Sequence, residues 1–195
     1  MDLEKFRSGA WFESVFTEVF HVLTPNMDEL EVEGTPEEMT HKAARSAFLL
    51  STGAGIPTGP IGLATIVPEL IGLMKIQVNL IFRIAKFYHQ EAKVSATLVL
   101  FVLGNALGVV LKHALAEKIG AQVAMRSLGT QGTRKLTQKI GEKIGTELMQ
   151  KAAGRWIPVV LAPVFGYFSL SMTKRIGREA ETLLSRVIEP APSGP

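Results

Sequence analysis

The sequence predicts an all-α protein: a compact multi-helix bundle with buried apolar central helices and a helical hairpin broken by glycine and proline. Three observations carry this reading. Apolar residues recur at helical spacing in 3–23, and again at Leu136, Ile140, Ile144 and Leu148. No run alternates apolar and polar residues with the two-residue period of an exposed strand. Three stretches, 46–68, 94–111 and 156–173, carry no charge over 23, 18 and 18 residues, so protein or lipid has to cover them.

The first element, 3–23, sets Phe6, Trp11, Val15, Val19 and Val22 on a broad apolar face, with Phe12, Phe16, Phe20 and Leu23 beside it. Thr24-Pro25-Asn26 stops it, and the acidic linker that follows reads as a mobile loop. A second helix starts at Thr35-Pro36-Glu37-Glu38, where Thr35 caps, Pro36 suits the first helical position and Glu38 stands at capping-box spacing. It runs to about Leu50, where STGAGIPTGPIG breaks it. A long helix is expected over 63–90, with Pro68 as a kink site.

Residues 94–115 then form one or two apolar helices, in which Gly104 and Gly108 have the spacing that lets helix backbones approach closely. An amphipathic basic segment over 117–153 is interrupted at Gly129-Thr130-Gln131-Gly132, and 155–188 form a hairpin or one long helix. The organisation is thus an N-terminal amphipathic helix and acidic linker (1–34), a helical domain (35–188) and a disordered tail (189–195).

A chain of 195 residues is long enough for one sizeable core. Its 47% hydrophobic content and mean hydropathy of +0.23 are oily for a soluble domain and low for a lipid-embedded one. Each uncharged stretch is near the length of a spanning helix. However, their prolines, glycines and small residues suit helix–helix contact better than lipid, so a buried or bilayer-docked bundle is expected over stable spanning helices. No basic run precedes an apolar one at the N-terminus, and the expected location is cytoplasmic.

The net charge of +3 hides an asymmetry. Residues 1–40 carry ten acids against Lys5 and Arg7, a balance of −8. Residues 112–155 carry nine bases against three acids, a balance of +6. The bases Arg134, Lys135, Lys139 and Lys143 are candidates to face an anionic membrane surface; without interleaved aromatics, they do not point to nucleic acid.

Glu69 is the sole acid between Glu38 and Glu91. With Gln77 and Arg83 it forms a candidate buried polar lock or ligand contact, because a carboxylate in an apolar setting needs a cation or hydrogen-bond donors. Arg83, Lys174 and Arg175 are its candidate partners.

Catalytic motifs fail in turn. The glycine-rich stretch has no lysine after Gly59 to reach a phosphate, and no strand precedes it. The four histidines are scattered, no serine has a GxSxG setting, and the absence of cysteine removes thiolate chemistry and cysteine metal sites. Neither an enzyme nor a cofactor nor a metal is expected.

Two segments, TGPIGLATIVPELIGLMKIQVNLIFRIAKFY (58–88) and KIGEKIGTELMQKAAGRWIPVVLAPVFGYFSLSMTKRIGREA (139–180), resemble the EcsC-like family of bacterial helical proteins. The first matches in Pro68, Glu69, Gln77, Ile84, Ala85 and Tyr88, and the second in Ile-Pro-Val-Val and a closing Thr-basic-x-Ile-Gly-x-x-Ala. Pro163, Tyr167 and Phe168 depart from the family's small residues there and predict looser packing of the last helix.

The resemblance implies an all-helical protein without established activity or catalytic residues, with a hint of membrane transport or secretion work. Together the readings predict a non-enzymatic interaction or lipid-binding protein at the inner face of the cytoplasmic membrane, partnered by anionic lipid or a membrane transport protein. Two alternatives stand beside it: a pore-forming or immunity-type effector whose residues 94–111 insert, and a hydrolase or transferase using Glu69 as base.

Overall fold

The computed structural model describes residues 9–53, 60–109, 130–153 and 158–185. Among them it is all-helical and without strands. The helices are α1 Ala10–Leu23, α2 Pro36–Gly53, α3 Pro60–Phe87, α4 Ala96–Ala106, α5 Thr130–Ala153 and α6 Pro158–Leu184, with a 3-10 turn at Glu91–Lys93. The expected helical start at 3–8, all of 110–129, the expected end of the last helix at 186–188 and the tail 189–195 lie outside the described residues.

Local chemistry accounts for the helix ends. At α2 the Thr35 amide donates to Glu38 Oε2 at 2.9 Å, and the Glu38 amide donates to Thr35 Oγ1 at 3.3 Å, the reciprocal capping box. α3 begins three residues earlier than expected, with Pro60 at its first position, and continues through Pro68. It ends at a left-handed residue, His89 (φ 55°), where the Gln90 amide donates to the Ala85 carbonyl at 2.8 Å.

α4 ends the same way. Gly108 has φ 68°, and the Val109 amide reaches the Gly104 carbonyl at 2.8 Å. Gly108 therefore stops a helix rather than admitting a neighbouring one, and no atom would contact a side chain built there. Within the Gly-Thr-Gln-Gly stretch, Thr130 is the first residue of α5, and Gly129 lies outside the described residues. The last segment is one helix, α6.

α6 is the axis of the bundle. Ser51 meets Ser169, and Thr40 meets Gly177, so α2 runs antiparallel to α6. Gln77 reaches Thr173, and Tyr88 reaches Glu181, so α3 runs parallel to it. Gly166 and Gly177 are notches on one face of α6: a Cβ at Gly166 would strike Phe48 and Thr52, and one at Gly177 would strike Thr40. These glycines hold α2 close, and Tyr167 turns outward at 69% exposure, so this bulky residue does not loosen α6.

Around this axis Leu80, Ile81, Ile84, Val99, Phe101, Ile140 and Ile176 are fully buried. α5 buries the stripe Leu136, Ile140 and Ile144.

α1 packs on α5 and α3 through Trp11, Phe12 and Phe16. Phe12, Phe16 and Phe20 stack in succession with centroids 5.9 and 5.6 Å apart, while Val22, expected on the same face, is 80% exposed. Backbone meets backbone where Gly9 (φ 70°) lies on Gly141. The acidic linker is docked rather than mobile. Lys86 Nζ donates to the carbonyls of Met27 and Leu30 at 2.6 and 2.9 Å, and Leu30 is buried. An ammonium needs several acceptors once partly buried, and the linker backbone supplies two.

Candidate functional site

The helix directions bring the C-terminal end of α2, the N-terminal end of α3 and the N-terminal end of α6 to one end of the bundle. These are the ends that carry the uncharged stretches 46–68 and 156–173. The charges bordering this tip fall at one level. Arg45 lies on α2 between the Thr40–Gly177 and Ser51–Ser169 contacts, and Lys75 precedes Gln77 on α3. Lys174 and Arg175 follow Thr173 on α6. The four bases thus form a collar within about one helical turn.

Arg45, Lys75 and Arg175 are exposed, and none makes an ion pair among the described residues. On the tip side of the collar, Leu49 and Tyr167 stand in solvent at 65% and 69% exposure. The opposite end is acidic. Asp28, Glu29, Glu31, Glu33, Glu37 and Glu38 cluster around the N-terminus of α2, and the contacts of Lys86 hold their linker at the C-terminal end of α3. Charge is thus separated along the bundle axis, by bases that lie outside the basic segment 112–155.

Inside the tip runs a seam of hydroxyl and carboxyl groups. Ser51 and Ser169 share a buried hydrogen bond of 2.7 Å, and Gln77 Nε2 donates to Thr173 Oγ1 at 3.5 Å. Glu69 joins the seam through Ser51, not through a cation. Desolvation by burial raises its pKa, and the Ser51 hydrogen bond opposes that rise.

The ionised carboxylate therefore weakens the fold. The contribution of Glu69 to stability is fully present below its ordinary value near 4.5 and is lost as pH rises through the higher folded pKa. Glu69→Gln should melt at a higher temperature than the wild type at about pH 7, with the gap closing towards about pH 4. A gap independent of pH in thermal denaturation would contradict this account.

Arg83 is not the partner of Glu69. Fourteen residues along one helix separate them by about 21 Å. The Nε of Arg83 is instead buried without a hydrogen-bond partner among the described residues. Lys174 and Arg175 make no ion pair with Glu69 either. Glu69, Gln77 and Arg83 thus do not converge on one point.

The four expected membrane-facing bases also divide. All four are exposed, but Arg134 Nε pairs with Glu13 at 3.4 Å and Lys143 Nζ with Glu147 at 3.3 Å, while Lys135 and Lys139 make no ion pair among the described residues. Sequence reasoning missed Ser51, Ser169 and Thr173. The available signal was the i, i+4 spacing of Ser169 and Thr173 at the end of the uncharged stretch 156–173.

A cavity of about 420 Å3 lies between α4, α5 and α6. Lys143, Glu147, Ser171 and Arg175 line it with Phe168 and Met172, so cations and apolar surface face the same space. No group of histidine, aspartate or glutamate able to hold a metal occurs among the described residues. Among them, too, no helix is long and apolar enough to cross a membrane.

Comparison of the chain with models of known families, with curated proteins and with solved structures finds no match. The candidate function therefore rests on the tip, its collar and the adjoining cavity.

Proposed function

We propose that this chain is a non-enzymatic helical protein that docks tip-first on an anionic membrane surface, at the inner face of the cytoplasmic membrane. One observation carries the reading: two uncharged segments distant in sequence meet at one end of the bundle beneath a collar of bases, with six acids at the other end. Leu49 and Tyr167 supply apolar and amphipathic contact with the headgroup region, where tyrosine is enriched. The acidic end turns away from anionic lipid and fixes the orientation.

Each base near an anionic surface contributes about 1 kcal/mol, so the collar supplies about 4 kcal/mol before ordering costs. Binding of that origin is weak and sensitive to salt. The resemblance of 58–88 and 139–180 to the EcsC-like family belongs to this proposal, and it adds a membrane transport or secretion protein as the class of protein partner.

Flotation tests the reading. The protein should rise with vesicles containing phosphatidylglycerol at low salt, stay behind with pure phosphatidylcholine, and be released by about 0.5 M salt. Failure to float with the anionic vesicles at low salt would remove the proposal.

A further inference from the structure

The cavity between α4, α5 and α6 combines features that a diffuse basic surface lacks. Its volume of about 420 Å3 falls within the roughly 300–1,000 Å3 of small-molecule sites. Two cations reach it from different helices, Lys143 from α5 and Arg175 from α6, and Ser171 adds a hydroxyl. Phe168 and Met172 form an apolar wall next to these polar groups.

Arg175 makes no ion pair among the described residues, and its planar fork matches a phosphate in two-point hydrogen bonding. Lys143 is held by Glu147, but both are partly exposed, at 48% and 23%, and such a pair is weak enough to open for a stronger anion. Among the described residues Glu147 is the one carboxylate lining the cavity, and an entering anion has to displace it from Lys143. Arg175 belongs to the collar as well as to the cavity, so a docked tip would hold the cavity at headgroup depth.

We propose that this cavity binds one phosphate ester joined to an apolar chain, with Arg175 and Lys143 on the phosphate and Phe168 and Met172 against the chain; the inference rests on the membrane-docking reading. That chemistry has two sources, an anionic phospholipid and a soluble phosphate ester, and the experiment separates them.

Calorimetric titration would use dihexanoyl phosphatidic acid below its micelle concentration, glycerol 3-phosphate, and dihexanoyl phosphatidylcholine. The expected result is saturable one-to-one binding of the short-chain phosphatidic acid. Loss of one charged hydrogen-bond partner should make Arg175→Gln and Lys143→Gln about tenfold weaker. Lys139→Gln, an exposed base of α5 outside the cavity, should change affinity less than about twofold. Glycerol 3-phosphate, which lacks the chain, should bind about tenfold more weakly than the phosphatidic acid.

Equal losses in Arg175→Gln and Lys139→Gln would overturn the site in favour of diffuse charge. Equal affinity for glycerol 3-phosphate would overturn the lipid source, and an absence of saturable binding would overturn the inference outright. Wild-type protein that floats with anionic vesicles yet binds no short-chain lipid defeats the cavity and leaves tip docking standing. Protein that binds the short-chain lipid but does not float defeats tip docking instead. Arg175 is exposed, so its variant should keep the wild-type melting temperature.

Discussion

Gly141→Ala should lower the melting temperature, although alanine is the better helix former by about 1 kcal/mol. The added methyl would lie 2.6 Å from the Gly9 carbonyl oxygen, 2.8 Å from the Gly9 Cα and 2.6 Å from the Phe12 Cβ. Two of these are backbone atoms of the chain that opens α1, so no rotamer change relieves the overlap. Only separation of α1 from α5 does. Overpacking of this kind costs about 3 kcal/mol.

Against the gain in helix propensity the net loss is about 2 kcal/mol, or roughly 4–8 °C in a chain of this size. Because Trp11 is buried in that interface, its emission should shift to the red at temperatures where the rest of the bundle is still folded. A melting temperature that rises would show that α1 does not rest on Gly141. Gly177 is a milder case, because it faces the side chain of Thr40 rather than backbone.

A double substitution at the tip, Leu49→Glu with Tyr167→Glu, should cut vesicle affinity by at least about tenfold. Both side chains are already mostly exposed, so the fold keeps its stability while two apolar contacts become two repelled charges. Lys135→Gln on α5 should do little. Lys135 lies two turns from Lys143, the α5 base that the cavity brings level with Arg175. Flotation of the three proteins side by side checks this ranking, and equal binding by all three would mean that the tip does not touch the membrane.

What could be read from the sequence follows from the range of the forces involved. The capping box at Thr35 and Glu38 and the stripe of Leu136, Ile140 and Ile144 depend on spacing within a few residues, and the structure realises both. The burial of 98–103 follows from an uncharged apolar run with nowhere else to go.

Long-range geometry was not legible. Gly104 and Gly108 have the spacing of a close-contact pair, yet a left-handed Gly108 ends α4, a choice made by carbonyl capping rather than by period. Gly141, Gly166 and Gly177 do admit a neighbour, but their partners lie more than a hundred residues away in sequence. The acidic linker looked mobile because its anchor, Lys86, lies far along the chain. For Glu69, charge complementarity pointed to cations, whereas the packing of α2 brings a serine.

The collar is the clearest instance. Arg45, Lys75 and the pair Lys174-Arg175 belong to three separate places in the charge pattern and meet only once the directions of α2, α3 and α6 are known.

The absence of cysteine makes orientation directly measurable. An environment-sensitive fluorophore can be attached through Tyr167→Cys at the tip or, in a separate protein, through Glu37→Cys at the acidic end. On addition of anionic vesicles the label at 167 should shift to the blue and brighten, while the label at 37 stays as it was in water. A response at 37 without one at 167 would mean that the opposite end meets the membrane, and the account of the tip would be wrong.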